Sequence, residues 1–128
     1  MATQVPGYSA TFPAGEDLSA QQFNPVMLNA SGQVITATQG ALCVGILQNK
    51  PSAAGAAATV MVHGVSKANS GAVIDVSANR VVTAGAGDGV ETAASGDFPL
   101  GIALATADTT DGSQVTEVLL LPTGTPLP

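Results

Sequence analysis

Tryptophan is missing from this chain of 128 residues, and its only aromatics are three Phe and one Tyr. Sugar-binding sites draw on aromatic platforms that stack against the ligand, so a carbohydrate-binding domain would have little to build with. Charge is nearly as scarce. Charged residues make up 9%, against about 25% in an average soluble protein. The basic ones, Lys50, Lys67 and Arg80, are scattered, and the net charge is −6. Phosphate neutralisation needs clustered Lys and Arg, so nucleic acid is not an expected partner. A coiled coil or long helical bundle needs abundant Glu, Lys, Leu and Arg, which the chain lacks. Low charge with a 45% hydrophobic content argues against wholesale disorder.

Cysteine and long apolar runs are also short. Cys43 is the only cysteine, so no intrachain disulfide forms. Its setting, Ala41-Leu42-Cys43-Val44-Gly45-Ile46-Leu47, is that of a small buried hydrophobe. A catalytic thiol needs a base held beside it; the one histidine is His63, and nothing in the sequence ties it to Cys43. The longest apolar run, Ala41 to Leu47, falls well below the roughly 18 residues that span a bilayer, so no membrane is expected. Met1-Ala2-Thr3-Gln4-Val5-Pro6 has neither the basic nor the apolar region of a signal peptide. The expectation is a chain made in a cell's cytoplasm.

What the chain has in quantity is Gly, Pro and small aliphatic side chains, with 15 Gly and 8 Pro. From Gly15 onward, short apolar runs alternate with turn residues. Candidate strands are Val26–Leu28, Gln33–Thr38, Leu42–Leu47, Thr59–His63, Val73–Val76, Arg80–Thr83, Gly89–Ala93, Leu100–Leu104 and Val115–Leu121. Turn signals such as Asn29-Ala30-Ser31-Gly32, Gln39-Gly40 and Ser95-Gly96-Asp97 separate them. Strands this short at this spacing predict an all-β sandwich or barrel. Leu18–Phe23 has room for one helical turn, and Ala53–Ala58, broken by Gly55, reads as a hairpin connection. Pro keeps the tail from Pro122 to Pro128 out of any ladder.

The sequence also repeats. A slide of 56 positions (Gly40 onto Gly96) lays Val34, Thr36 and Ala37 on Val90, Thr92 and Ala93, and Gly45-Ile46 on Gly101-Ile102. It also places Gly15 on Gly71, Leu18 on Ile74, Val26 on Val82 and Val62 on Val118. The reading is two copies of one β-unit, about 15–64 and 71–121. Two copies are too few for a solenoid, so they are expected to close as two halves of one small domain covering 15–122. Residues 1–14, with Pro6, Gly7 and Pro13, form an extended N-terminal arm, and 123–128 a tail.

The order of these pieces resembles a known family. Ala14-Gly15-Glu16-Asp17-Leu18 precedes an apolar strand and Asn29-Ala30-Ser31-Gly32-Gln33-Val34. Gly45-Ile46, Val60-Met61-Val62-His63-Gly64-Val65, the restart at Gly71-Ala72-Val73-Ile74, Pro99-Leu100-Gly101-Ile102 and a final Val118-Leu119-Leu120-Leu121-Pro122 follow. This run is similar to the small capsid decoration, or cement, proteins of tailed bacteriophages, over about 15–122. The resemblance implies a β-rich structural protein. It implies a homo-oligomer, in many cases a trimer, bound to the major capsid protein on the outer face of the expanded head. It carries over no catalytic motif.

Other residues invite chemistry and are better explained without it. His63 has no partner ligands at metal-binding spacing. Asp108-Thr109-Thr110-Asp111-Gly112 resembles a fragment of a calcium loop but lacks its further oxygen ligands. Glu16-Asp17 fits a cap on the following turn. Gly85-Ala86-Gly87-Asp88-Gly89 has no following helix or Lys to cradle phosphate. Asn29-Ala30-Ser31 matches a glycosylation sequon in a chain without a secretory signal. With so few titratable groups, the expectation is a non-enzymatic protein without cofactor or metal. The alternative is a β-domain of a phage fibre or tail component or of a bacterial surface adhesin. In the arm, Val5, Tyr8 and Phe12 are the candidate capsid-interface residues, because aromatic side chains make strong interface anchors.

Overall fold

The computed structural model describes residues 5–72, 74, 77, 79–85, 89–105, 114–121 and 124–128. The fold is all-β, with no helix among the described residues. Its strands are β1 (Val5–Pro13), β2 (Pro25–Leu28), β3 (Val34–Thr36), β4 (Gly45–Leu47), β5 (Ala57–Ser70), β6 (Val81–Ala84), β7 (Val90–Thr92), β8 (Gly101–Ala103) and β9 (Gln114–Leu120). Leu18–Phe23 forms turns, with hydrogen bonds from Gln21 N to Leu18 O and from Asn24 N to Gln21 O, both 3.0 Å.

The long strand β5 organises the molecule. One of its edges pairs first with β4 (Ile46↔Met61, Leu47↔Val60) and then with β9, from Gly64↔Leu120 to Ser70↔Gln114. The other edge carries β1, from Pro13↔Ala57 to Val5↔Val65, and ends in a parallel pair, Ser70↔Val90, with β7. Val65 pairs with both Val5 and Leu119, so β1 and β9 lie on opposite edges. A closed barrel runs β5-β7-β6-β8-β9 and back to β5, and the remaining strands flank it. The stretch read as an extended arm is therefore a strand of the sheet, paired along its length inside the chain. Its prolines are tolerated because it is an edge strand, where a missing N–H need not break a ladder.

The strand pairings recur 56 positions along the chain. Val26↔Thr36, Met27↔Ile35 and Leu28↔Val34 return as Val82↔Thr92, Thr83↔Glu91 and Ala84↔Val90. Pro25↔Ile46 and Val26↔Gly45 return as Val81↔Ile102 and Val82↔Gly101. The parallel bridge Ala14↔Val34 returns as Ser70↔Val90, and the Gly15 N to Val34 O bond as Gly71 N to Val90 O. The last strand is offset by two more residues: Leu47↔Val60 corresponds to Ala103↔Val118. Val118 thus stands where Val60 does, not Val62. The correspondence also starts before Gly15, since Ala10↔Val60 and Thr11↔Thr59 match Ser66↔Val118 and Lys67↔Glu117. The two halves are joined through β5, which closes the first half and opens the second.

Two apolar clusters fill the interior. The first gathers Ala14, Leu18, Val26, Val34, Leu47, Ala58 and Val60, with Phe12, Val44 and Val62 packed against it. The second includes Ala68, Ile74, Val82, Val90, Leu100, Val118 and Leu120, which stand at corresponding positions, and it also takes in Ala37, Cys43, Ile46 and Met61 from the first half. Each fully buried Val, Leu or Ile contributes about 1.5–3 kcal/mol of hydrophobic stabilisation. Glycine is required where strands cross closely. A Cβ at Gly45 would run into the Met61 carbonyl oxygen, and one at Gly101 into that of Leu119. The turns after β3 and β7 use Gly40 and Gly96 at φ 69° and 89°, a region open to glycine at little steric cost.

Candidate interaction surface

The three candidate interface residues all lie on β1. Tyr8 is 75% exposed. Phe12 is half-buried against the first core, which follows from strand alternation and from its pairing with Ala58. Val5 pairs with Val65 through the backbone. Beyond β5 and the bridge at Ala14, no strand pairs with β1 among the described residues. Tyr8 therefore projects from an edge strand, on a segment held by its pairing with β5.

Other large apolar side chains reach solvent: Leu28, Leu42, Leu104 and Leu121. Their positions are not random. Leu121 follows β9, two residues from half-buried Leu119, and so continues the same face. Leu104 follows β8 two residues from half-buried Ile102, and Ile102 pairs with Leu119. The outward face of β8–β9 thus presents Ile102, Leu104, Leu119 and Leu121, while Val118 and Leu120 point into the core. The sequence carried a signal for this in the unbroken run Val118-Leu119-Leu120-Leu121. A strand that is apolar on both faces needs cover on both.

Burial pushes the Cys43 thiol from its ordinary 9.0 up to about 12, which holds it protonated and unreactive; its Sγ donates to Ala41 O at 3.5 Å. His63 is exposed on β5. Glu16 and Asp17 do not act together. Glu16 Oε2 accepts the Thr36 N–H at 2.8 Å, whereas Asp17 Oδ1 accepts that of Ser19 at 3.0 Å. The Ser19 backbone bond lowers the Asp17 pKa. Asn29 Oδ1 accepts from Ser31 N and Gln33 N, both at 2.9 Å, and so builds the β2–β3 turn. Asp108–Gly112 lies outside the described residues, as do residues 86–88 of the Gly-rich loop. Among the described residues, no group of three or more His, Cys, Asp or Glu could hold a metal ion. Among the described residues, no helix is long and apolar enough to cross a membrane.

A polar node ties the first half to the second part of β5. Phe23, at φ 67°, accepts the Asn69 N–H at 3.0 Å. The Asn69 side-chain amide donates to Gln22 O and to Oδ1 of buried Asn24 at 3.0 and 2.8 Å. Lys67 Nζ sits 5.8 Å from the centre of the Phe23 ring. These bonds are saturated within the chain. They fix the turn at Phe23 against β5.

Comparison with family models, with curated proteins and with solved structures found no match for this chain.

Proposed function

We propose that this chain is a structural virion protein that binds the outer surface of an assembled tailed-phage capsid and stabilises it. It acts as a homo-oligomer, a trimer in this reading, and it catalyses no reaction. Its partner is the major capsid protein. It is made in the host cytoplasm and used on the virion exterior, where an acidic surface is compatible with distance from packaged DNA. The observation that carries the proposal is a division of labour in the surface. Exposed apolar side chains stand on paired strands, as Tyr8 and Leu28 do, or directly after them, as Leu104 and Leu121 do, while the described ionisable groups are dispersed. Such a surface suits binding through shape and apolar area. Fold alone does not assign function; the capsid as target rests on the sequence resemblance.

Of Val5, Tyr8 and Phe12, the anchor in this reading is Tyr8, which is largely exposed, whereas Phe12 is half-buried. The outer edge of β1 also offers main-chain groups to a capsid strand. Deleting 2–13 would tear out a core-forming strand, so the test is a point substitution. Tyr8→Ala is expected to weaken binding to expanded heads about 30-fold, the loss of an aromatic hot spot worth about 2 kcal/mol, with the melting temperature and oligomer mass unchanged. Undiminished binding would overturn the role of Tyr8. Failure of the unsubstituted chain to bind heads would overturn the capsid reading itself.

A further inference from the structure

We infer that the C-terminal tail is a releasable strap: held at Leu127, it covers the Gly96 turn of the second half, and its release opens that turn and the apolar β8–β9 face to solvent. The inference is independent of the capsid. Its basis is the recurrence of the two halves. In the first half, the turn at Gly40 is covered from within the sheet. The Gly40 N–H is taken at 3.0 Å by the carbonyl of Ala84, at the end of β6. Ala37, Cys43, Ile46 and Met61 are buried there in one cluster with Val82, Ala84 and Leu120 of the second half. Strand β6 is itself paired on both edges, with β7 and with β8. Gly40 therefore loses its cover only when the second half comes apart.

Gly96 is the counterpart of Gly40 and shares its left-handed backbone, but a different segment covers it. Its N–H is taken by Leu127 O at 2.9 Å, and the Leu127 N–H donates to Asp97 O at 2.8 Å. The tail thus supplies the carbonyl that Ala84 supplies to the first half. The cover is partial. Ala93 is buried like its counterpart Ala37. Ile102 and Leu119, the counterparts of buried Ile46 and Met61, are half-buried, and Leu104 and Leu121 are exposed. The strap is also lightly held. Gly124, Thr125, Pro126 and Pro128 are exposed, and Leu127 is half-buried. Proline has no N–H to donate, so within Pro126-Leu127-Pro128 the backbone donor is that of Leu127. A segment with little buried apolar surface and exposed backbone opens at a free energy well below that of global unfolding. Leu127 fits that description, and Ala84 does not.

The test is amide hydrogen exchange read residue by residue on the full chain without heads, with Gly40 as the internal reference. In the parent, the Gly96 amide should exchange at least about tenfold faster than that of Gly40. Its rate should ignore low concentrations of urea, because a local opening exposes little surface, whereas the Gly40 rate should climb with urea as global unfolding does. Removing residues 123–128 should speed Gly96 exchange by a further tenfold or about that, leave Gly40 tied to global unfolding, and raise the fluorescence of an added apolar dye several-fold. Leu127→Asp keeps the tail backbone and should shift Gly96 and the dye in the same direction; it decides the matter if the shortened chain fails to fold. A Gly96 amide that follows the urea dependence of Gly40 in the parent overturns the release. Gly96 exchange unchanged by both variants overturns the tail as its cover, and unchanged dye fluorescence in both overturns the opening of the β8–β9 face.

Discussion

Leu18→Ala probes the dependence of the whole fold on its shared strand. Leu18 is fully buried in the first core, and its N–H is fixed to Pro51 O at 2.8 Å. The substitution removes most of an isobutyl group, a transfer loss of about 2.4 kcal/mol at roughly 0.8 kcal/mol per carbon. Incomplete collapse of a site held by the Ala14↔Val34 bridge adds a cavity cost, so the total is about 3–4 kcal/mol, within the range for buried Leu→Ala. For a chain of this size that corresponds to a fall in melting temperature of roughly 10–15 °C. The physical point is the cooperativity. Because β5 belongs to both halves, the second half should not survive melting of the first. Urea unfolding at fixed protein concentration, followed by Tyr8 fluorescence and by far-ultraviolet circular dichroism, should give coincident single transitions in the parent and in Leu18→Ala. Ile74→Ala, at the corresponding site in the second core, should behave alike. A loss below about 1 kcal/mol would refute the packing argument. Two separated transitions would refute the shared-strand argument.

Two further outcomes follow from the strand crossings and from the buried thiol. Gly45→Ala and Gly101→Ala should each destabilise by about 1–3 kcal/mol, because the added Cβ forces neighbouring backbone apart; Gly124→Ala, with open space around it, should stay within about 0.5 kcal/mol in the same melts. The folded-state pKa of Cys43 lies above its unfolded value, so its contribution is intact below pH 9 and declines as pH rises toward about 12, where only the unfolded chain has released the proton. Cys43→Ala should flatten that alkaline decline, and a thiol reagent at pH 8 should label the native parent only as fast as it unfolds.

Much of the fold was legible because this chain punctuates itself. Val26–Leu28, Gly89–Ala93 and Leu100–Leu104 are short apolar runs between turn residues, and each contains or nearly coincides with a strand. Gln33–Thr38 and Leu42–Leu47 overran β3 and β4, since apolar residues continue into the crossing turns. Thr59–His63 fell short: β5 passes through Gly64, at φ 118°, and on through Lys67, Asn69 and Ser70, whose polarity hides a strand paired on both edges. β1 was taken for an arm because Pro6, Gly7 and Pro13 look like loop residues, and only pairing with β5 reveals them as an edge strand. Val73–Val76 falls almost wholly outside the described residues. Of the candidate surface, Tyr8 could be named from its residue type. The β8–β9 face could not, because period-two alternation separates two faces without saying which one meets the core when both are apolar.

Binding to an assembled shell is the central claim of the proposed function. The direct measurement is co-sedimentation of the purified, unsubstituted chain with expanded, undecorated heads of a tailed phage whose genome carries its gene, as the proposal requires. Saturable binding to the outer surface, at a number of copies divisible by three and with raised resistance of the heads to heat, is the predicted result. Absence of the chain from the head pellet at micromolar concentration would contradict the account.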